Sequence, residues 1–490
     1  MTMVGRSGAR RGASRLDGAR VAVWGIGAEG QAATELARRH GATVTVVDDR
    51  AGEIAGQAAD RGSRHQPSVG PVADVLAPAV LADSRFDVVV RSPGVSRYRP
   101  ELQAAAAAGA VVTTLTGLWL EDFADAPVIA VTGSKGKTTT AVLAAAALRA
   151  TGRRVALAGN MGRPVAELYE QPSGEPPPDA YVLEVSSFQA ADLTVSPRVG
   201  VLTLLAPDHL DWHGSYERYV ADKCNLFAHR SDMVVAVNAA DPAAWAATAT
   251  LGGRVGYGAP GMAIAPAGTV TTPGVWVDGA PYLAADQLGA SRLALRGAHN
   301  LVNLCGALSA VRALVGGLPA PAALLDQLDQ LDPLDSRLHT VARGGGVEFV
   351  DDALASNPAG AVAALATFAG RPLCLVAGGA DRGVALATLV DALRRHEPPA
   401  AVVVLGPMGA RLAAELAAEP TATVRCQAAT SVADAVERAV ALVGSGGVVL
   451  FSPGAPTPPA EGTYADRSAA FAAAATAAAA RLSMGAAPRC

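Results

Sequence analysis

Short runs of β-branched and apolar residues recur along this chain, each followed by a turn and a stretch with helical patterning. They read "RVAVWGIG", "TVTVVDD", "FDVVVRS", "PVIAVTG", "AYVLEV", "VGVLTLL", "DMVVAVN", "PLCLVAGG", "AAVVVLG" and "GVVLFSPG". Such alternation predicts parallel sheets joined by crossover helices, hence an α/β protein. With 490 residues the chain exceeds what one hydrophobic core holds, so several domains are expected. One seam lies near "EDFADAP"; a second lies near "LDQLDPLDSRLH", where Pro333 stops a helix. These seams predict domains over 19–124, 125–332 and 333–490, preceded by a disordered basic arm over 1–18. Between 252 and 287 a Gly/Pro-rich stretch with short alternating pieces predicts an antiparallel patch or β-rich insertion in the middle domain. The runs "LQAAAAAGA" and "SAAFAAAATAAAARLS" read as helices, because alanine is the strongest helix former, with a loose tail after Ser483.

Composition narrows the class of protein. Apolar residues make up 50% of the chain, ample for several cores, yet no uninterrupted apolar run approaches the roughly 18–20 residues of a membrane span. Membrane insertion is therefore not expected. The basic N-terminal stretch lacks the apolar segment of a secretory signal. The 5 cysteines, Cys224, Cys305, Cys374, Cys426 and Cys490, show no CxxC spacing, which fits a reduced cytoplasmic location. A formal net charge of −4 supplies no basic footprint and argues against a nucleic-acid partner.

Three segments carry candidate chemistry. Gly25, Gly27 and Gly30 form GxGxxG between a strand and a helix, with Asp48 and Asp49 after the next strand. Such glycines let backbone approach a diphosphate at a helix start, and the acids can bond a ribose. NAD and a uridine diphosphate group satisfy this pattern equally. "RSPGV", with Ser92 and Gly94, ends a later strand on the ligand side of such a sheet. "VIAVTGSKGKTTT" is a phosphate loop shortened from GxxxxGK[ST], since the glycine upstream of Gly136 is Gly133. Lys137 can reach terminal phosphates and Thr138 can hold Mg²⁺. Lys135 reads either as a phosphate contact or as an exposed charge. Glu184 and His209 close neighbouring strands and are candidate Mg²⁺ ligands, direct or through water. Lys223 lies in a helix among Tyr, Val and Leu, where a lysine stem can run along apolar surface.

The ordered motifs "TGSKGKTTT", "GNMGRP", "EVSSFQ", "PDHLDWHGS", "ADK", "VNAADP", "GAHNLVNLCGAL" and "LDSRLH" cover nearly all of the chain after the basic arm. Together they resemble the Mur ligases, and the first glycine fingerprint resembles the branch that adds glutamate to UDP-N-acetylmuramoyl-L-alanine. The resemblance implies a Rossmann-like UDP-binding first domain, a P-loop ATPase-type central domain and a Rossmann-like third domain for the amino acid. It implies ATP at Gly133, Ser134, Lys135, Gly136, Lys137, Thr138 and Thr139, with Asn303 and Arg337 at the adenine and phosphate side. It places Mg²⁺ at Thr138, Glu184 and His209, and makes Lys223 a carbamylated metal ligand. Lys137, His209 and Lys223 would be catalytic. Gly27, Ala28, Glu29, Asp48, Asp49, Ser92, Gly94 and Asn160 would bind the UDP substrate. The implied partners are UDP-N-acetylmuramoyl-L-alanine and glutamate, with a cytoplasmic monomer doing the work.

Departures concentrate in the third domain. "VDDALASNP" has Leu354 where the branch carries a lysine and Ser356 where it carries a threonine. "AGGADRG" offers Arg382, and "SPGAPTPPAEGTYADR" offers Thr457 and Tyr464, at positions that contact the glutamate carboxylates in the usual enzyme. These changes resemble a variant that adds L-glutamate; the alternative is the usual D-glutamate ligase with Arg382 or water replacing the lost lysine. Folylpolyglutamate synthetase shares the central loop but lacks the glycine-marked first domain. A nicotinamide oxidoreductase would leave the phosphate loop idle, and a decayed regulatory protein would not keep Lys137, Thr138, Glu184, His209 and Lys223 together.

Overall fold

The computed structural model describes residues 11–53, 75–83, 85–161, 163–170, 176–267, 273–293, 295–332, 334–418 and 424–485. Each apolar run quoted above forms a strand, and the strands collect into three larger sheets and one small one. The first sheet orders β3 (Val75–Leu76), β2 (Thr43–Val47), β1 (Arg20–Trp24), β4 (Val88–Arg91) and β5 (Val111–Thr113), all parallel. The second orders β11 (Arg254–Tyr257), β10 (Val234–Asn238), β9 (Val199–Leu202), β6 (Val128–Thr132), β8 (Ala180–Glu184) and β7 (Val155–Gly159), again parallel. β12 (Ile264–Ala267), β13 (Gly274–Val277) and β14 (Ala280–Ala284) form the small sheet, in the segment expected to be β-rich. The last sheet orders β15 (His339–Gly344), β16 (Val347–Asp351), β20 (Val448–Phe451), β17 (Leu373–Gly378), β18 (Ala401–Leu405) and β19 (Arg425–Ala428). It is parallel except for its edge strand β15, which runs antiparallel to β16.

The chain divides into two compact units. One comprises Met1–Ala267, Val275–Ala280 and Val302–Gln327; the other comprises Gly268–Gly274, Pro281–Leu301 and Leu328–Cys490. The first unit therefore contains both the first and the second large sheet. Helix Leu115–Phe123, at the first seam, packs inside this unit rather than forming a loose linker. Its buried Trp119 stacks on Phe123 at 4.6 Å and meets Tyr181 of β8 edge-on at 5.1 Å. In the second unit, apolar clusters lie on both faces of the last sheet. Leu375, Leu389 and Leu412 belong to one, and Phe451, Phe471 and Val436 to the other.

One expectation needs correction. The basic arm was expected to be disordered over 1–18, but Gly12–Leu16 is a 3₁₀ helix. Gly12 N donates to Glu121 Oε2 at 2.7 Å, Ala13 N to Asp122 Oδ2 at 2.9 Å, and Arg15 pairs with Glu121 at 2.8 Å. Leu16 is fully buried in the core shared with Trp119, so burial and acid-capped amides order a segment that composition alone presents as polar. Helix Ala298–Val315 is the one long apolar helix among the described residues. By length and composition it could cross a membrane, with a mean hydropathy of 1.2, but 61% of it is buried inside the fold. His299, Asn300, Asn303 and Arg312 interrupt its apolar residues, which is why no run stood out. The alanine-rich tail forms helix Tyr464–Gly485, extending past Ser483. Cys224, Cys305, Cys374 and Cys426 are free thiols.

If the 3₁₀ segment is docked as described, Leu16→Ala should lower stability by about 2–5 kcal/mol, the cost of emptying a buried leucine site. Urea unfolding of the full chain measures it, and an unchanged midpoint would contradict the docking.

Candidate functional site

In the first sheet the strand order reverses between β1 and β4, and ligands of open parallel sheets bind beyond the carboxyl ends at such a point. The glycine fingerprint follows β1, and Ser92 with Gly94 follows β4, so both reach that edge. The glycines do different work. A Cβ on Gly25, whose φ is +112°, would lie 2.4 Å from Ser92 Oγ, and one on Gly30 would lie 1.8 Å from Gly25 O. These two permit the strand–turn–helix contact itself. Gly27 and Gly94 have nothing within 4 Å of that position. Gly27 is the N-cap of helix Ala28–Arg39, so open space lies over a helix start, where backbone amides favour an anion. Ala28 and Gly27 are exposed there. Ser92 Oγ and Glu29 Oε2 are buried without a hydrogen-bond partner. Burial raises the Glu29 pKa, opposed by Gln189 Nε2 donating to its Oε1 at 2.8 Å and by the Arg91 charge. Asp48 is buried and accepts from Arg50 N at 3.0 Å, whereas exposed Asp49 pairs with Arg99 at 3.0 Å.

The shortened phosphate loop leaves β6 and enters helix Lys137–Arg149. Gly133 has φ +150° and Gly136 φ +87°; a Cβ would sit 1.9 Å from Thr203 Oγ1 at the first and 2.5 Å from Asn303 Oδ1 at the second. The loop thus has a close protein wall on one side. Ser134 N donates to Leu204 O at 2.6 Å, Ser134 Oγ meets Tyr219 Oη at 2.6 Å, and Thr203 Oγ1 donates to Lys135 O at 2.6 Å. Lys137 Nζ bonds Ser134 O at 3.3 Å, Thr139 is buried, and Lys135 Nζ stands 4.0 Å from Asp208 Oδ2. The helix start beyond this wall supplies the amides a phosphate needs, so the residues present fit ATP.

Glu184 brings one further metal candidate, Thr138, to its carboxylate. Its Oε2 accepts from Thr138 Oγ1 at 2.6 Å and its Oε1 from Asn160 Nδ2 at 2.9 Å. Asn160, expected on the UDP-sugar side, therefore shares the carboxylate of the metal side. Among the described residues no group of three or more His, Cys, Asp and Glu could hold a metal. Mg²⁺ commonly keeps waters and substrate phosphates beside one or two protein oxygens, so the Thr138–Glu184 pair fits it. His209, in the left-handed region at φ +53°, packs its ring 4.8 Å from that of Phe188 and lies 3.7 Å from Asp208 Oδ2. Lys223 is buried and donates to Gly133 O at 3.1 Å. Burial and the Lys137 charge hold its pKa well below the usual lysine value, against pulls from Asp208 and Glu184. A neutral amine is the form able to attack CO₂.

In the second unit, β16, β20 and β17 are neighbours, and the loops leaving their carboxyl ends carry Ser356, Thr457 and Arg382 respectively. Arg382 and Tyr464 are exposed, and Leu354 and Ser356 are half-buried. Asn303 lies in the first unit; Arg337, in the second, sits between two left-handed residues, Ser336 at φ +55° and Leu338 at φ +52°. Backbone strain of this kind costs roughly 1–3 kcal/mol per residue and marks a site fixed by its surroundings. Burial raises the Asp352 pKa to about 7, opposed by Ser452 Oγ donating at 2.7 Å and by Arg337.

Sequence reasoning gave no role to several residues of these sites. Asp208 faces both Lys135 and His209, although its position in "PDHLD" beside His209 was a signal. Gln189 reaches Glu29, and Tyr219 and Thr203 hold the phosphate loop; nothing in their local sequence foretells it. Arg467 is buried, donating to Gly378 O at 3.0 Å and pairing with Glu461 at 3.2 Å, and so ties the end of β17 to the turn before helix Tyr464–Gly485.

Residues 131–311 match the Mur ligase middle domain, and 336–454 match the Mur ligase glutamate ligase domain. A relative from Micromonospora sp., named UDP-N-acetylmuramoyl-L-alanine--L-glutamate ligase, is 40% identical over 91% of this chain and 93% of its own. The chain belongs to the Mur ligase family. A relative of the same name from Salinispora tropica is 39% identical over 91% of this chain and 94% of its own. The fold of this Mur ligase is similar to that of UDP-N-acetylmuramate-alanine ligase MurC from Thermotoga maritima, with TM-score 0.54 and 18% identity over 92% and 98% of the two chains. It is also similar to that of the MurF ligase from the same organism in complex with ADP, with TM-score 0.56 and 17% identity over 96% and 99%.

The glycine geometry separates folding from binding. Gly30→Ala should lower the unfolding temperature by several degrees, through backbone clash, while Gly27→Ala should leave it unchanged and weaken binding of a uridine diphosphate ligand about tenfold or more. Thermal melts and titration calorimetry distinguish the two, and equal melting losses would refute the division. Asp352 gives a pH signature. An acid whose folded pKa lies above its unfolded value binds its proton more tightly when folded, so its contribution is lost as pH rises from about 4 to about 7. Asp352→Asn should remove a decline on the order of 2–4 kcal/mol between pH 4 and 7. Urea unfolding across that range tests it; parallel profiles would refute it.

Proposed function

We propose that this Mur ligase joins L-glutamate to UDP-N-acetylmuramoyl-L-alanine at the expense of ATP, as a cytoplasmic monomer supplying peptidoglycan precursor. The observation that carries the reading is the joint placement of Thr138, Asn160 and Glu184 beside the phosphate loop, with buried Lys223 on Gly133 O. A carboxylate does not condense with an amine at neutral pH, so the alanyl carboxylate takes the terminal phosphoryl group of ATP to become an acyl phosphate. The glutamate amine then attacks the acyl carbon and phosphate leaves. Lys137 and the amides at the start of helix Lys137–Arg149 hold the phosphates in line and offset the charge that develops during transfer. Mg²⁺, when bound, would supply further neutralisation of the phosphate charge. Thr138 and Glu184 would hold it. Lys223, taking up CO₂ and releasing a proton, becomes a carbamate, and with His209 would hold a second ion.

Gly27, Ala28, Glu29, Ser92 and Gly94 bind the diphosphate and Asp48 and Asp49 frame the uridine, with Asn160 toward the sugar. Asn303 and Arg337 serve the adenine nucleotide. Ser356, Arg382, Thr457 and Tyr464 receive glutamate. Leu354 offers no charge there, so an arginine fork at Arg382 becomes the carboxylate partner. The names of the relatives from Micromonospora sp. and Salinispora tropica support L-glutamate as the enantiomer.

Phosphate release from ATP with UDP-N-acetylmuramoyl-L-alanine, offered L-glutamate and D-glutamate in parallel, tests the reading. Release with L-glutamate is expected, reduced about 100-fold or more in Lys137→Ala. Release with D-glutamate alone would overturn the stereochemistry, and release with neither would overturn the substrate.

A further inference from the structure

The two loops at the carboxyl edge of the first sheet are bonded to the metal side of the second. Arg91, at the end of β4, is fully buried; it pairs with Asp192 at 2.5 Å and donates to Phe188 O at 2.6 Å and Val95 O at 3.0 Å. Trp212 Nε1 donates to Pro93 O at 3.1 Å, and Ser96 Oγ donates back to Trp212 O at 3.0 Å. The same loop ends at Tyr98, whose hydroxyl lies 2.7 and 2.9 Å from the two oxygens of Asp222. Asp222 Oδ2 also meets His213 Nδ1 at 2.6 Å, and His213 Nε2 meets Ser187 Oγ at 3.0 Å. Asp222, His213 and Ser187 are buried.

This chain of bonds is not used by the chemistry above, yet it starts and ends beside it. Tyr98 lies four residues beyond Gly94, at the open end of the diphosphate loop. Asp222 precedes Lys223, and Ser187 lies three residues beyond Glu184. The second loop reaches the same place, because Gln189, bonded to Glu29, also accepts from Ser186 N at 3.0 Å. A buried carboxylate with both oxygens engaged cannot exchange partners with water, so displacement of Tyr98 is passed to Asp222 rather than absorbed.

We propose that Tyr98 is a positioning residue that carries occupancy of the diphosphate loop through Asp222, His213 and Ser187 to Lys223 and Glu184. The UDP substrate then favours the arrangement in which the nucleotide-metal side is ready. The proposal rests on the ligase reading for the identity of the two ligands. By linkage the two ligands must each strengthen binding of the other by the same factor.

The test is titration calorimetry of a non-hydrolysable ATP analogue with Mg²⁺, with and without saturating UDP-N-acetylmuramoyl-L-alanine. In the native chain the UDP substrate should tighten the analogue about fivefold or more. Tyr98→Phe keeps the ring against Trp212, 5.9 Å away, and removes the hydroxyl. It should bring the factor within about twofold of unity, with each ligand alone bound within about threefold of native. Ser187→Ala cuts the far end without touching the first sheet and should reduce the factor as well. Native coupling of unity, or native coupling retained in both variants, overturns the proposal. Failure of the native chain to bind either ligand overturns the ligase reading itself, and is told apart by the absence of heat in the single-ligand titrations.

Discussion

The shortened phosphate loop is held to its neighbours by a set of backbone and hydroxyl bonds, and the rest of the site is arranged around that attachment. Ser134 is bonded through its amide to Leu204 O and through its hydroxyl to Ala206 O and Tyr219. Thr203 bonds the carbonyls of both Thr132 and Lys135, and Lys223 takes that of Gly133. With the carbonyls of Thr132, Gly133 and Lys135 engaged by the protein, the amides at the helix start give the polarity that a triphosphate requires. The two left-handed glycines make this possible, since a side chain at either would strike Thr203 or Asn303. Lys223 carries a double burden here. It closes the loop as an amine, and becoming a carbamate would exchange a donor for acceptors at Gly133 O.

Much of the fold was legible because its signals are local. Buried parallel strands read as β-branched runs, and each run quoted from the sequence is a strand in the structure. Most strands that escaped notice lie at sheet edges, such as β3, β5 and β19, whereas β16 is an inner, fully buried strand whose apolar run is broken by Glu348. β19 is exposed along its whole length and so carries no apolar run. The N-terminal segment was misread because its order comes from Glu121 and Asp122, more than a hundred residues away, and no local pattern encodes that.

The candidate site divides along the same line. Gly27, Lys137, Thr138 and Glu184 stand out in the sequence because each sits at a strand end or at the turn into a helix, whereas Lys223 lies in helix Tyr216–Cys224 and is singled out by the family resemblance. The bond from Asn160 to Glu184 was not legible in the motif, since it arises from the pairing of β7 with β8, which puts Gly159 opposite Glu184. Asp208, Gln189, Tyr98 and Arg467 act through partners distant in sequence. In the second unit the departure at Leu354 was legible, but the buried Arg467 behind the same strand ends was not. Its guanidinium is turned toward Gly378 O and Glu461, partners distant in sequence that no local pattern announces.

The contact between Gly25 and Gly30 bears on how this protein can evolve. Each glycine occupies the space a methyl group would need at a neighbour, and the obstacle at residue 30 is the backbone oxygen of residue 25. No single nucleotide change at codon 30 reaches a residue that fits, and relief would require the whole turn to be rebuilt at once. The position at Gly27 has no such barrier, because nothing lies within 4 Å of where its Cβ would be. Two glycines in the one fingerprint are therefore held by architecture, and the third would be held only by the ligand proposed for it. A lineage that abandoned its nucleotide would keep the outer pair and let the middle one drift.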